Sequence, residues 1–348
     1  MRICIFGAGA VGGHLAAKLA RAGSEVSVIA RGAHLRALRE KGIVLLHGEE
    51  RIQARVRAAE RAADLGAQDL VIVTLKANLL AAVAEQVASL LNSETPVVFA
   101  QNGIPWWYGI GIAPSKPKPP DLSRLDPGGL LRKVVSPARL MGAVIYSAND
   151  IVEPGVVHNH TAGNNMLVVG ECDDRDSARV RDLRALLDGA GMSSPPTDEI
   201  RKAVWNKAIV NLGTSSVCLL TQAALSDVRG DPALKDLLAR AAAEGRAIAR
   251  AHGIEADQAP QRPSGGHASG NIGHKPSMVN DYEAGKPMEI ESQFITPLAF
   301  ARAARLPTPA LDALVPLAAF KAAAKGLYEP PGIRMKNRGG HGEGKATG

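Results

Sequence analysis

The 348-residue chain has room for about two domains, and it is 46% hydrophobic but only 3% aromatic, so its core must rest on Ala, Val, Leu and Ile. Three scattered cysteines, Cys4, Cys172 and Cys218, form neither a disulfide framework nor a metal spacing; with no signal-peptide pattern after Met1 and no apolar run of about eighteen residues, a cytoplasmic, non-membrane protein is expected. The net charge of +7 sits mostly in residues 111–140 and 329–348, which carry surpluses of four and two, and both look like loop or tail rather than a nucleic-acid recognition face.

Ile3, Cys4, Ile5 and Phe6 form a short apolar run, as a strand covered on both faces requires. Gly7-Ala8-Gly9-Ala10-Val11-Gly12 follows at once, and an Ala-rich helical pattern then runs to Gly23. In this strand–turn–helix context the first glycine permits the tight turn and the second lets backbone approach a pyrophosphate. The third lets helix and strand pack closely, while the helix N-terminus supplies amide donors. This is the signature of a Rossmann-type dinucleotide site. The second strand, residues 25–30, ends on Arg31, with no acidic residue to bind ribose hydroxyls. An Arg there accommodates a 2′-phosphate, so NADP is the expected cofactor.

Residues 42–47 and 51–56 flank a turn and read as a hairpin. Residues 69–75 form a buried strand ending at Lys76, a helix is expected over 78–91, and the strand 95–100 ends in Gln101-Asn102-Gly103. Ligands of open parallel sheets bind beyond the carboxyl ends of strands, where the glycine loop, Arg31, Lys76 and Asn102 all fall. Residues 111–135, rich in Pro, Gly and Lys, read as an inserted, mobile loop. A strand resumes over 139–147, residues 155–158 and 166–170 read as a pair of strands around a turn, and a helix spans 173–187.

From residue 198 the pattern is helical: 199–220, 231–251, 277–304 and 309–325, with a Gly/Pro/Ser/His-rich loop over 258–276. Lys207, Asn211 and Ser215 recur every four residues and make one polar stripe on an otherwise apolar helix. The expected organisation is therefore α/β. A dinucleotide-binding domain spans 1–197 and an all-helical substrate and dimerisation domain spans 198–328. A disordered tail covers 329–348.

With these residues in place the chain resembles the 2-dehydropantoate 2-reductase (ketopantoate reductase) family. The resemblance rests on G-A-G-A-V-G at 7–12, T-L-K at 74–76, Q-N-G at 101–103, W-N-K-A-I-V-N at 205–211 and S-M-V-N-D-Y-E-A-G-K-P-M-E-I at 277–290. It implies a Rossmann domain that binds NADPH, a helical domain that closes over it, and a small 2-keto acid substrate in the cleft, with no metal; a homodimer is compatible with it. Carried over by matched position, Lys207 is the general acid that protonates the keto oxygen. The physics agrees, since a lysine in a partly desolvated cleft yields its proton more readily and its charge stabilises a developing alkoxide. Glu289 orients Lys207 and cofactor; Lys76, Asn102 and Ala148 join the cofactor contacts; Asn211, Ser215, His274 and Ser277 line the substrate pocket. Two positions depart from the family pattern. Ser215 stands where a second helix Asn is usual, and His274 stands where an Asn usually precedes Ser-Met. Both belong to the substrate pocket, so a related dehydrogenase of a different keto or hydroxy acid stays open. A non-catalytic NADP sensor is the remaining alternative, opposed by the retention of Lys207, Asn102 and Glu289 together.

Overall fold

The computed structural model describes residues 1–256 and 275–331. Apolar runs in its first half become strands β1 (Arg2–Phe6), β2 (Glu25–Ile29), β3 (Ile43–His47), β4 (Glu50–Ala54), β5 (Arg57–Ala59), β6 (Leu70–Val73) and β7 (Val97–Ala100). Strands β8 (Leu140–Tyr146), β9 (Asn149–Glu153), β10 (Val156–Asn159) and β11 (Met166–Glu171) follow. A seven-stranded sheet runs β11-β8-β7-β6-β1-β2-β5, parallel except for β11, which pairs antiparallel with β8. The order reverses about β1, with β6 on one side and β2 on the other, so a crevice opens beyond its carboxyl end. Helices α1 (Ala10–Arg21) and α2 (Gly32–Lys41) make the first two crossovers.

A second sheet, β4-β3-β10-β9, packs over α1 and explains that helix's composition. Being covered on both sides, α1 is almost wholly buried, and at Gly13 a Cβ would come within 2.7 Å of Val157. The hairpin expected from residues 42–56 is β3–β4. The expected pairing of 155–158 with 166–170 is not formed. Instead β10 pairs with β3 and β9, and β11 with β8. Reciprocal amide bonds between Asn159 and Asn165 (2.9 and 3.0 Å), with Thr161 bound to Asn165, steer the chain from one sheet to the other.

Two further expectations are corrected. The helix over 78–91 is two 3₁₀ turns, Ala77–Leu79 and Ala81–Val83, leading into a short α3 (Ala84–Ala88). Residues 111–135 are anchored rather than mobile: Leu122, Leu125, Leu131 and Val135 are buried, and Asp126 accepts the N–H of Leu131 to start α4 (Leu130–Val134). The segment also ties the two halves together, through Lys116 to Glu199 and Arg124 to Glu291. Helix α5 (Ala178–Gly189) begins five residues later than the expected start at 173, because Ser177 caps it by accepting the N–H of Val180.

The second half is helical: α6 (Ile200–Thr221), α7 (Leu225–Gly230), α8 (Pro232–Ala251), α9 (Ser277–Glu283), a π turn (Glu291–Ile295) that runs into α10 (Thr296–Ala303), and α11 (Pro309–Ala324). Pro316 lies inside α11, and Pro297 stands just after the π turn, where the helical backbone continues from Glu291 without its N–H. Helix α6 is seated on the sheet by two buried polar side chains. Arg201, 0% exposed, donates to the carbonyls of Tyr108 and Ile110, and Trp205 Nε1 donates to the Tyr108 hydroxyl at 2.8 Å. Among the described residues no helix is long and apolar enough to cross a membrane, and no group of His, Cys, Asp and Glu could hold a metal ion. Residues 258–274 of the loop expected over 258–276, and 332–348 of the expected tail, lie outside the described residues.

Candidate active site

At the β1–α1 turn the three glycines have distinct surroundings. A Cβ at Gly12 would stand 2.1 Å from the Gly7 carbonyl oxygen and 2.4 Å from Thr74 Oγ1, so the close approach of α1 to β6 admits no side chain. A Cβ at Gly9 would meet nothing within 4 Å, so this glycine faces open space. Gly9 caps α1 without a side-chain hydrogen bond, and no acidic residue lies in the first turn. The amides of Ala10 and Val11 therefore head a helix whose positive end is uncompensated, a site suited to a pyrophosphate. Thr74 Oγ1 donates to the Gly7 carbonyl at 2.7 Å and fixes the turn.

At the end of β2, Arg31 is exposed and forms no hydrogen bond or ion pair among the described residues. It precedes α2, and the same strand end carries no carboxylate. A guanidinium held only by its own stem, two residues past β2, is placed to meet a phosphate on the adenosine side of a dinucleotide. The donor set thus fits NADP.

The ends of β6, β7 and β8 face the helical half. After β6, Lys76 Nζ pairs with Asp281 of α9 at 2.5 Å, and the N–H of Ala77 donates to Glu289 Oε1 at 2.8 Å. After β7, Gln101 Nε2 donates to the Val73 carbonyl, while Asn102 Oδ1 is buried without a hydrogen-bond partner. Gly103 has φ +77°, and a Cβ there would lie 2.5 Å from the Ser292 carbonyl oxygen, which accepts the N–H of Ile104 at 2.8 Å. Beyond β8, both backbone polar groups of half-buried Ala148 are engaged, by Thr161 and His160, leaving its methyl group to offer a ligand.

From the helical side, Lys207 Nζ stands 4.9 Å from the centre of the Tyr146 ring, over the last residue of β8. A cation over an aromatic face is attracted by the ring quadrupole, which holds the Lys207 ammonium at that strand end. Asn211, one turn on, donates to Gln293 Oε1 at 3.1 Å, and Gln293 Nε2 donates to Glu289 Oε2 at 3.3 Å. Glu289 therefore reaches α6 through Gln293 and Asn211. Lys207 and Asn211 are half-buried and Ser215, 2% exposed, continues the stripe inward; the stripe is not a solvent face. Ser277 opens α9 and is exposed, and His274 lies outside the described residues. Arg31 stands apart from the Lys207 cluster, across the sheet from it.

Sequence reasoning did not single out Thr74, Gln101, Asp281 or Gln293. The spacing of Gln293 four residues after Glu289 was the available signal, since such pairs share a helix face. Asp281 sits inside the S-M-V-N-D-Y-E segment, but nothing in that segment names Lys76 as its partner.

Burial pushes the Glu289 carboxyl up to about 7, with Asp281 adding to the rise and the Ala77 N–H, Lys76 and Gln293 opposing it. Between its ordinary 4.5 and about 7 the folded chain holds a proton that the unfolded chain releases. Stability is therefore full below the unfolded value and falls as pH rises through the folded one. Glu289→Gln removes this dependence. In urea unfolding of both proteins, the variant should gain about 3 kcal/mol on the wild type between about pH 4 and pH 8. A stability difference that stays constant over that range would contradict the assignment.

Comparison with known proteins follows the same lines. The family model described as ketopantoate reductase PanE/ApbA matches residues 3–107, and the model of its C-terminal part matches residues 199–322. The 2-dehydropantoate 2-reductase of Mesorhizobium japonicum is 38% identical over 330 residues, which cover 94% of this chain and 100% of that one. The crystal structure of 2-dehydropantoate 2-reductase from Geobacter metallireducens superposes with a TM-score of 0.76 at 25% identity, covering 91% of this chain and 99% of its own. A D-mandelate dehydrogenase solved with NADH and anilino(oxo)acetate shares the fold, with a TM-score of 0.77 at 20% identity over 94% of this chain and 100% of its own. Both halves of the chain match one family, and the protein belongs to the ketopantoate reductases.

Proposed function

We propose that this protein reduces 2-dehydropantoate to pantoate with NADPH. The observation that carries the reading is the convergence of Lys207, Asn211 and the Glu289–Gln293 pair on the ends of β6, β7 and β8, beside a glycine turn built for a dinucleotide. When bound, NADPH supplies a hydride to the keto carbon. The amides of Ala10 and Val11 hold its pyrophosphate and Arg31 its 2′-phosphate. Lys207 carries a proton on Nζ, donates a hydrogen bond to the keto oxygen, and transfers that proton as negative charge builds there. Asn102, with its buried and unpartnered Oδ1, offers an acceptor beside the same strand ends. Asn211, Ser215 and Ser277 bind the hydroxyl and carboxylate of the substrate.

A second reading, a dehydrogenase for another 2-keto acid on the same machinery, is favoured by Ser215. Its side chain is shorter than Asn and leaves room for a different substituent. The test is NADPH oxidation by purified protein across a panel of 2-keto acids. On the first reading 2-dehydropantoate has the highest kcat/KM of the panel. A better substrate lacking the hydroxyl favours the second, and in that case Ser215→Asn should move preference back toward 2-dehydropantoate. Inertness toward the whole panel would overturn both.

A further inference from the structure

We propose that Gln293 is a positioning residue that sets substrate specificity: it orients Asn211 so that Asn211 presents its carbonyl oxygen, an acceptor, to a hydroxyl group on the substrate. This rests on the reductase reading above, which takes the cleft beside Lys207 as the substrate site.

The Ala77 N–H can only donate, and it points at Glu289 Oε1. Above its pKa of about 7 the Glu289 carboxylate offers only acceptors, so the group facing Oε2 is then a donor. Gln293, 1% exposed, therefore turns its NH₂ to Glu289, at 3.3 Å, and its carbonyl away. That carbonyl requires a donor in turn, and Asn211 Nδ2 supplies it at 3.1 Å. Asn211 then has its own NH₂ committed to Gln293, and its Oδ1 has no partner among the described residues. Each amide has two orientations, and here each is chosen by its neighbour. With Glu289 ionised, its acceptor character is handed through Gln293 and Asn211 to the face of α6 that carries Lys207.

The backbone around Gln293 is held for this task. It lies in the middle of the π turn, the wider i→i+5 geometry that recurs at functional sites. On the outer side of that turn, Glu291 is tied to Arg124 and accepts from the Tyr328 hydroxyl at 2.7 Å. The Ser292 carbonyl is locked by the N–H of Ile104 at 2.8 Å, under the close approach of Gly103. Gln293 is thus held by the two anchored residues that precede it in sequence while its amide faces inward.

The test, at about pH 8.5 where Glu289 is ionised, is a ratio of kcat/KM values: 2-dehydropantoate over 3,3-dimethyl-2-oxobutanoate, the same skeleton without the hydroxyl. Gln293→Met keeps the length but neither donates nor accepts. It should lower the ratio by about tenfold or more, the worth of a lost hydrogen bond to the substrate, whatever loss is common to both acids. Gln293→Ser, which removes the reach without adding bulk, should lower it likewise if Gln293→Met does not fold. Gln293→Glu should retain the ratio, because one proton shared with Glu289 leaves an oxygen to accept from Asn211. In an Asn211→Ala background Gln293→Met should leave the ratio unchanged, because the path runs through Asn211. A wild-type ratio near one, an unchanged ratio in both Gln293→Met and Gln293→Ser, or loss of the ratio in Gln293→Glu overturns the assignment and leaves the reductase reading intact. A wild type that reduces neither acid overturns the reading and the assignment with it.

Discussion

Lys207→Ala should lower kcat by about a hundredfold or more while the Kd for NADPH changes by less than about twofold. The two halves of this expectation rest on different parts of the molecule. The groups suited to hold the cofactor, the glycine turn and Arg31, lie on β1, α1 and the end of β2. Lys207 lies on α6, over the end of β8, three strands away from β1 in the sheet. Removing its side chain takes away the proton donor and the positive charge that meets the developing alkoxide, and touches none of the phosphate contacts. Lys207→Arg should stay impaired, because arginine keeps the charge but does not surrender a proton in proteins. The measurements are steady-state NADPH oxidation and fluorescence titration of NADPH. A Lys207→Ala enzyme with near-normal kcat on its best substrate would remove the mechanism.

Arg31→Ala should weaken NADPH binding by about ten- to a hundredfold and leave NADH binding nearly unchanged. The range follows from a charge-assisted hydrogen bond to a phosphate, worth about 1.5 to 3 kcal/mol. The Arg31 guanidinium has no hydrogen bond or ion pair among the described residues, so its loss should cost little stability and the effect should appear in affinity. NADH lacks the 2′-phosphate, which makes it the internal control. Equal affinities of the wild-type protein for the two cofactors, measured by calorimetric titration, would sink the assignment.

What was legible in the sequence is what depends on neighbours along the chain. The strand–turn–helix at the start follows from a short apolar run, three glycines and an Ala-rich period, all within about twenty residues. The polar stripe of Lys207, Asn211 and Ser215 follows from the helical repeat, and its companions Ala208, Leu212 and Val217 are buried around it. The absence of an acidic residue beside Arg31 is likewise a local fact. Tertiary structure alone decided the rest. Strands at 156–159 and 166–171 look alike to a reader of periodicity, because a sheet's partners are chosen by distant segments and here by an Asn159–Asn165 amide pair. The segment 111–135 has the composition of a free loop, yet a few leucines at irregular spacing, Leu122, Leu125 and Leu131, reach core pockets that only the assembled fold supplies. The partners of Lys76 and Glu289 lie some two hundred residues away along the chain or in a π turn that no propensity announces. Helical and strand periods constrain which face a side chain occupies, whereas the choice of what stands opposite it is made by long-range packing, and the active site is assembled from those choices.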